Sequence, residues 1–188
     1  MREKENARGL FLRLTGVENE SALWELHSLF FHPLYRLIYS ITHHKEVAEE
    51  LTNDVFVQIW QCRKKIGNVE NPEVYLFVCA RNTAFTYLKS IKAPVTSIED
   101  IQQFDLHIER TPEDMLISSE MVARINAAIR QLPPKCKLTF LLVKENNLKY
   151  REVAEILGLS VKTVEAQMSI ALKKLSQSIP FLLPAFSR

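Results

Sequence analysis

Residues 149–175 hold the spacing with the clearest chemical meaning in the chain. Ala154, Gly158 and Val164 stand at i, i+4 and i+10. They supply a small residue where two helices must cross, a glycine free to take φ > 0 in the turn, and a β-branched plug for the interface. Ser160 is placed to cap the helix that follows. Along that helix Val164, Met168, Ala171 and Leu175 recur at i, i+4, i+7 and i+11, while Lys162, Ala166, Ser169 and Lys173 fall on the opposite side. One face packs and the other is left to enter a groove. Such a helix-turn-helix offers the reading of duplex DNA, in which cations hold phosphates while small and polar side chains reach base edges. An ordinary helical hairpin accounts for the glycine but not for all three residues together.

No other spacing suggests a reaction centre. The chain has no Glu-x-x-His pair, no Gly-rich phosphate loop and no Ser/His/Asp set with local support. No catalytic residue, cofactor or small-molecule substrate is therefore expected. His43 and His44 are adjacent but lack a nearby cysteine or third ligand, so no metal site is expected either. Cys62, Cys79 and Cys136 are odd in number and widely spaced, the pattern of reduced structural thiols. No apolar run approaches the roughly 20 residues that span a bilayer, and the charged amino end does not resemble a secretory signal. A soluble, cytoplasmic protein without membrane insertion is the expectation.

These residues must be positioned by helices. Only 4 glycines occur, 47% of residues are apolar, and the segments show helical rather than alternating periodicity. The expected class is all-α, with two small helical domains joined by a linker and the helix-turn-helix in the second. The first domain covers residues 8–91, with one helical pattern at 22–39 (Pro33 as a kink), another at 45–64 and a third at 75–89. Gly67 and Asn68 break the chain, Asn71 can cap, and Pro72 suits a first helical turn. Periodicity fades in a linker at 92–111. Thr111 and Pro112 then read as a helix start, opening a second domain at 112–178 with further helices ending near Gln131 and spanning 135–145. Residues 179–188 form an apolar, proline-broken tail.

The formal charge of +2 is unevenly spread. Residues 1–91 hold 11 basic and 11 acidic groups, residues 92–111 hold 2 and 4, and residues 112–188 hold 11 and 7. The positive excess lies with the helix-turn-helix, though it is modest.

The second helical pattern, Val47-Ala48-Glu49-Glu50-Leu51-Thr52-Asn53-Asp54-Val55-Phe56-Val57-Gln58-Ile59-Trp60, resembles the helix by which group IV (extracytoplasmic function) sigma factors of the sigma-70 superfamily grip core RNA polymerase. The third, with its Ala80-Arg81-Asn82 core, is similar to that family's promoter −10 helix. With the helix-turn-helix, the resemblance covers nearly all of residues 20–178. It implies an initiation subunit whose partners are core RNA polymerase, promoter DNA and an anti-sigma factor. Glu50, Leu51, Asp54, Val55, Gln58 and Trp60 would contact the polymerase, the acids and amide pairing with basic groups of a coiled coil. Lys64, Asn68, Asn71, Tyr75, Arg81, Asn82 and Lys89 would hold the single-stranded −10 element, where amides and an aromatic ring suit an unpaired base. Ser160, Lys162, Thr163, Glu165, Ala166, Gln167, Ser169 and Lys173 would read the −35 duplex.

Two departures qualify the resemblance. Thr86 stands where the family often has an acid, and Glu165, Gln167 and Ile170 stand where it often has bases. Lys162, Lys173 and Lys174, with Lys149 and Arg151, are left as electrostatic anchors. Glu165 can accept from a cytosine amino group, while Gln167 lies toward the packed flank on a helical wheel. The alternative reading is a helix-turn-helix repressor or activator whose amino-terminal bundle binds an effector or dimerises. A third, a helical-bundle enzyme, finds no motif to support it.

Overall fold

The computed structural model describes residues 2–16, 19–91 and 119–178, and among them all regular structure is helical. The chain divides into two compact units.

The amino-terminal unit is built on α1 (Arg2–Leu14), α2 (Asn19–Thr42), α3 (Lys45–Cys62) and α4 (Pro72–Ser90), with a 3-10 turn at Ile66–Asn68. α2 packs against α1, α3 and α4, and α3 against α4. The periodicity did not single out α1 as a helix. Its stripe of Ala7, Leu10, Phe11 and Leu14 is short and set among charges, yet all four side chains are buried. Pro33, expected to kink α2, does not end it. A helix-interior proline costs about 3 kcal/mol. The buried Leu26, Leu34, Leu37 and Ile38 offset this, each worth roughly 1.5–3 kcal/mol.

α4 starts three residues earlier than its stripe suggested, for a reason visible in the sequence. Asn71 accepts from the Val74 amide at 3.3 Å, and Pro72 occupies the first turn. The break expected at Gly67 and Asn68 is the 3-10 turn. Two polar side chains inside this core bond their own helix, Ser40 donating to the Leu37 carbonyl and Thr52 to the Ala48 carbonyl, both at 2.6 Å. Neither therefore carries the cost of an unmet hydrogen bond.

The carboxy-terminal part of the chain carries α5 (Ser119–Arg130), α6 (Pro134–Lys144), α7 (Tyr150–Leu157) and α8 (Val161–Ser178), all in the second unit except Glu155–Leu157 of α7. α8 packs against α6 and α5. The prolines expected to separate two helices do so, with Pro134 opening α6. The helix start at Thr111 and Pro112, the linker at 92–111 and the tail at 179–188 lie outside the described residues.

Cys62 is exposed, Cys79 half-buried and Cys136 buried, and all three are free thiols. Burial pushes the Cys79 and Cys136 thiols above their ordinary value. Among the described residues, no helix is long and apolar enough to cross a membrane.

Candidate nucleic-acid interface and partner face

The turn between α7 and α8 is closed by hydrogen bonds that the sequence sets up. Gly158 takes φ 67°, and the Leu159 amide reaches back to the Ala154 carbonyl at 2.9 Å, the 6→1 bond of a Schellman cap. Ser160 Oγ accepts the Thr163 amide at 3.1 Å and shares a second bond of 2.8 Å with the Thr163 hydroxyl. At the start of α7, the Glu152 carboxylate accepts the Lys149 amide at 2.7 Å, half of a capping box. Ala154 is buried, and Val164, Met168, Ala171 and Leu175 are each at most 4% exposed. The stripe read from spacing is the interface that holds α8 in place.

The other side of α8 presents Lys162, Thr163, Glu165, Ala166, Ser169 and Lys173 to solvent, with Ser160 at its cap. Gln167 is the exception among the expected DNA contacts. It is half-buried, and its Oε1 accepts the Thr139 hydroxyl of α6, as its position on the wheel anticipated. Ile170, which sequence reasoning marked only as a missing cation, is 45% exposed on this face. Its spacing of i+4 from Ala166 was the signal that could have found it.

On α3, Glu50, Asp54 and Gln58 form an exposed edge at i, i+4 and i+8. Leu51 and Val55, expected to share in partner binding, instead face the core at 7% and 0% exposure. Phe56 is also buried, its ring 4.7 Å from that of His27. Trp60 is half-buried beneath the Arg63 guanidinium, which lies 4.0 Å from its ring centroid. The apolar contribution to the outer face is Val57, 52% exposed, which the sequence reading passed over although it lies seven residues from Glu50. α3 packs against both α2 and α4, leaving its Glu50, Asp54 and Gln58 edge exposed.

The candidates for single-stranded DNA divide in two. Lys64 and Asn68 are exposed beside the 3-10 turn. Asn71 has its carbonyl oxygen engaged in capping α4, and the Tyr75 ring packs edge-on against Phe11 at 6.2 Å. Burial raises the Tyr75 phenol above its ordinary value, with Cys79 as a hydrogen-bonding neighbour. Asn82 and Lys89 are exposed on α4, while Arg81 is half-buried and bonds Asn82 Oδ1 at 3.0 Å. Tyr75, Asn82 and Lys89 repeat every seven residues, so they follow one side of α4 for about 21 Å.

Between α3 and α4 runs an open groove of about 430 Å³ lined by Leu51, Asp54, Gln58, Cys79, Asn82, Thr83, Thr86, Tyr87 and Ser90. It brings three of the expected polymerase contacts, Leu51, Asp54 and Gln58, to the same depression as Asn82. Spacing along either helix alone gave no sign of that. Thr86 lies in it, so the groove carries one carboxylate where an acid at position 86 would add a second.

A capped helix-turn-helix with an exposed, lysine-flanked reading face, in a chain whose other unit presents an acidic helix edge, defines a DNA-binding transcription factor that works with a protein partner. Residues 29–93 match the Sigma-70 region 2 family, and residues 123–175 match the family of Sigma-70, region 4. The chain is similar to the ECF RNA polymerase sigma-E factor of Haemophilus influenzae, 30% identical over 142 residues that cover 71% of this chain and 75% of that protein. It is also similar to RNA polymerase sigma factor YlaC of Bacillus subtilis, 21% identical over 164 residues covering 87% and 95% of the two chains. In fold it resembles the sigma factor RpoE solved with the anti-sigma factor NepR from Bartonella quintana, with a TM-score of 0.56 at 17% identity over 84% of this chain and 96% of that one. It likewise resembles CnrH solved with the cytosolic domain of CnrY, with a TM-score of 0.52 at 22% identity over 97% and 99% of the two chains.

The chain belongs to the extracytoplasmic function (ECF) sigma factors of the sigma-70 superfamily. Its function is to bind core RNA polymerase and direct promoter-specific initiation through −10 and −35 elements.

Proposed function

We propose that these tasks are divided among three surfaces. The exposed face of α8 reads the −35 element as duplex. The segment from Lys64 through α4 melts and holds the −10 element. The outer edge of α3, Glu50, Asp54 and Gln58, pairs with basic groups on the polymerase. The observation that carries this reading is α8 itself: a helix pinned by a buried stripe and capped at Ser160, with Lys162, Ala166 and Lys173 turned outward.

Within this division, direct base capture falls to Asn68, Asn82 and the cationic Lys64 and Lys89. Asn71 and Tyr75 act first as the cap and packing that hold the loop's shape. Leu51 and Val55 support the α3 edge from behind. The chain works as a binding subunit with no catalysis, cofactor or small-molecule substrate of its own, in the cytoplasm where polymerase operates. An anti-sigma protein is a further partner, a reading supported by the similar sigma factor solved with the anti-sigma factor NepR.

The deciding experiment mixes the purified chain with core RNA polymerase and follows co-elution and transcription from selected promoters. Co-elution with promoter-dependent transcripts is the expected result. No polymerase binding, together with nanomolar binding of the pure protein to a palindromic duplex, would instead favour a helix-turn-helix repressor or activator.

A further inference from the structure

The hydroxyls on the reading face of α8, and the Gln167 carbonyl oxygen on its flank, already bond within the fold. Ser160 Oγ accepts the Thr163 amide, and the two hydroxyls bond each other. The Ser169 hydroxyl donates to the Glu165 carbonyl at 2.9 Å, and Gln167 Oε1 accepts from Thr139. Between Lys162 and Lys173 the uncommitted side chains are few: Glu165, whose carboxylate only accepts, and the apolar pair Ala166 and Ile170. Those two sit at i and i+4 and so are neighbours on one face. Ile170 keeps 45% of its surface exposed, whereas the interface behind it is already filled by Val164, Met168, Ala171 and Leu175.

An apolar strip among phosphate-binding lysines has one natural complement in a major groove. Of the four bases only thymine displays a methyl group there, and side chains such as alanine read it by contact rather than by hydrogen bonding. We infer that Ile170, with Ala166 beside it, is a specificity-determining residue that selects thymine in the −35 element by burying the C5 methyl. This rests on the reading that α8 enters the −35 duplex. Lys162 and Lys173 are about 16 Å apart along the helix axis, so they can hold phosphates at either end while Ile170 lies over the bases.

The test uses the full chain assembled with core polymerase. The holoenzyme first selects from a promoter library randomised across the upstream window, and the selected duplex is then remade with uracil in place of each thymine in turn. Uracil keeps every hydrogen-bonding group of thymine and lacks only the methyl. The expected result is thymine enriched at one position, where uracil weakens binding about fourfold, the worth of burying one methyl-sized group. Ile170→Ala should shrink both the enrichment and the uracil penalty, while Ile170→Leu should keep them. A selected element indifferent to uracil, or a penalty of the same size in Ile170→Ala, overturns the inference alone. A library yielding no upstream preference despite intact polymerase binding overturns it together with the −35 reading.

Discussion

Gly158 shows how much one residue decides in the DNA-reading unit. At φ 67° it occupies the left-handed region, where any Cβ crowds its neighbouring carbonyl. Gly158→Ala should destabilise the carboxy-terminal unit by about 1–2 kcal/mol, and Ser160→Ala by about 1 kcal/mol through the lost cap. Denaturant unfolding followed by circular dichroism would register both as lower midpoints, and unchanged midpoints would remove the turn from the account. Reading the promoter separates two other residues. Glu165 carries a carboxylate on the exposed face, so Glu165→Ala should relax preference at one −35 base, a cytosine or adenine offering an amino group. On the proposed reading Lys173 holds a phosphate, so Lys173→Ala should weaken every duplex alike and lower the salt slope by about one counterion. Binding isotherms at several salt concentrations on two or three promoter sequences distinguish these outcomes. Identical effects of the two substitutions on all sequences would reject the division.

At the scale of elements, legibility depended on how many apolar residues a helix carries relative to the stripe it must bury. α8 has a single four-residue stripe, and spacing alone predicted which side packs. α3 carries Leu51, Val55, Phe56, Val57, Ile59 and Trp60, more than one stripe's worth, and periodicity cannot say which phase faces out. Packing against α2 and α4 settles it, with Leu51, Val55, Phe56 and Ile59 buried and Val57 left exposed. α1 went unread because its four-residue stripe is stabilised by tertiary burial rather than by its own propensity. The groove between α3 and α4 was invisible because it depends on the register of two helices. These distinctions make opposite predictions along one helix. Leu51→Ala should cost about 2–5 kcal/mol of stability, as large-to-small core changes do. Charge reversal at Glu50 and Asp54 should leave unfolding nearly unchanged but weaken core polymerase binding by tenfold or more, since like charges replace a complementary pair. Competition binding to core polymerase beside an unfolding curve reads both effects. A stability loss from the reversals without an affinity loss would return that edge to a structural role.

At the scale of the whole chain, the charge is too modest for either unit to hold DNA tightly alone. The first 91 residues balance, and residues 112–188 exceed neutrality by 11 basic to 7 acidic groups. Two weak contacts on one chain gain from each other because binding of the first raises the effective concentration of the second, an advantage set by the length of chain between them. On the proposed division of tasks, α8 can do without cations at positions 165, 167 and 170, because polymerase and the −10 contact would bring it to the DNA. If residues 92–111 are the tether, doubling that segment with a flexible Gly/Ser insertion should lower effective concentration about threefold, following its −3/2 power dependence on length. The loss should appear on promoters carrying both elements and vanish on templates with a pre-melted −10 region and a scrambled −35 element, where only one contact remains. Transcription by reconstituted holoenzyme on the two templates measures the difference. An equal loss on both would mean that the insertion disturbs polymerase binding rather than cooperation between the elements.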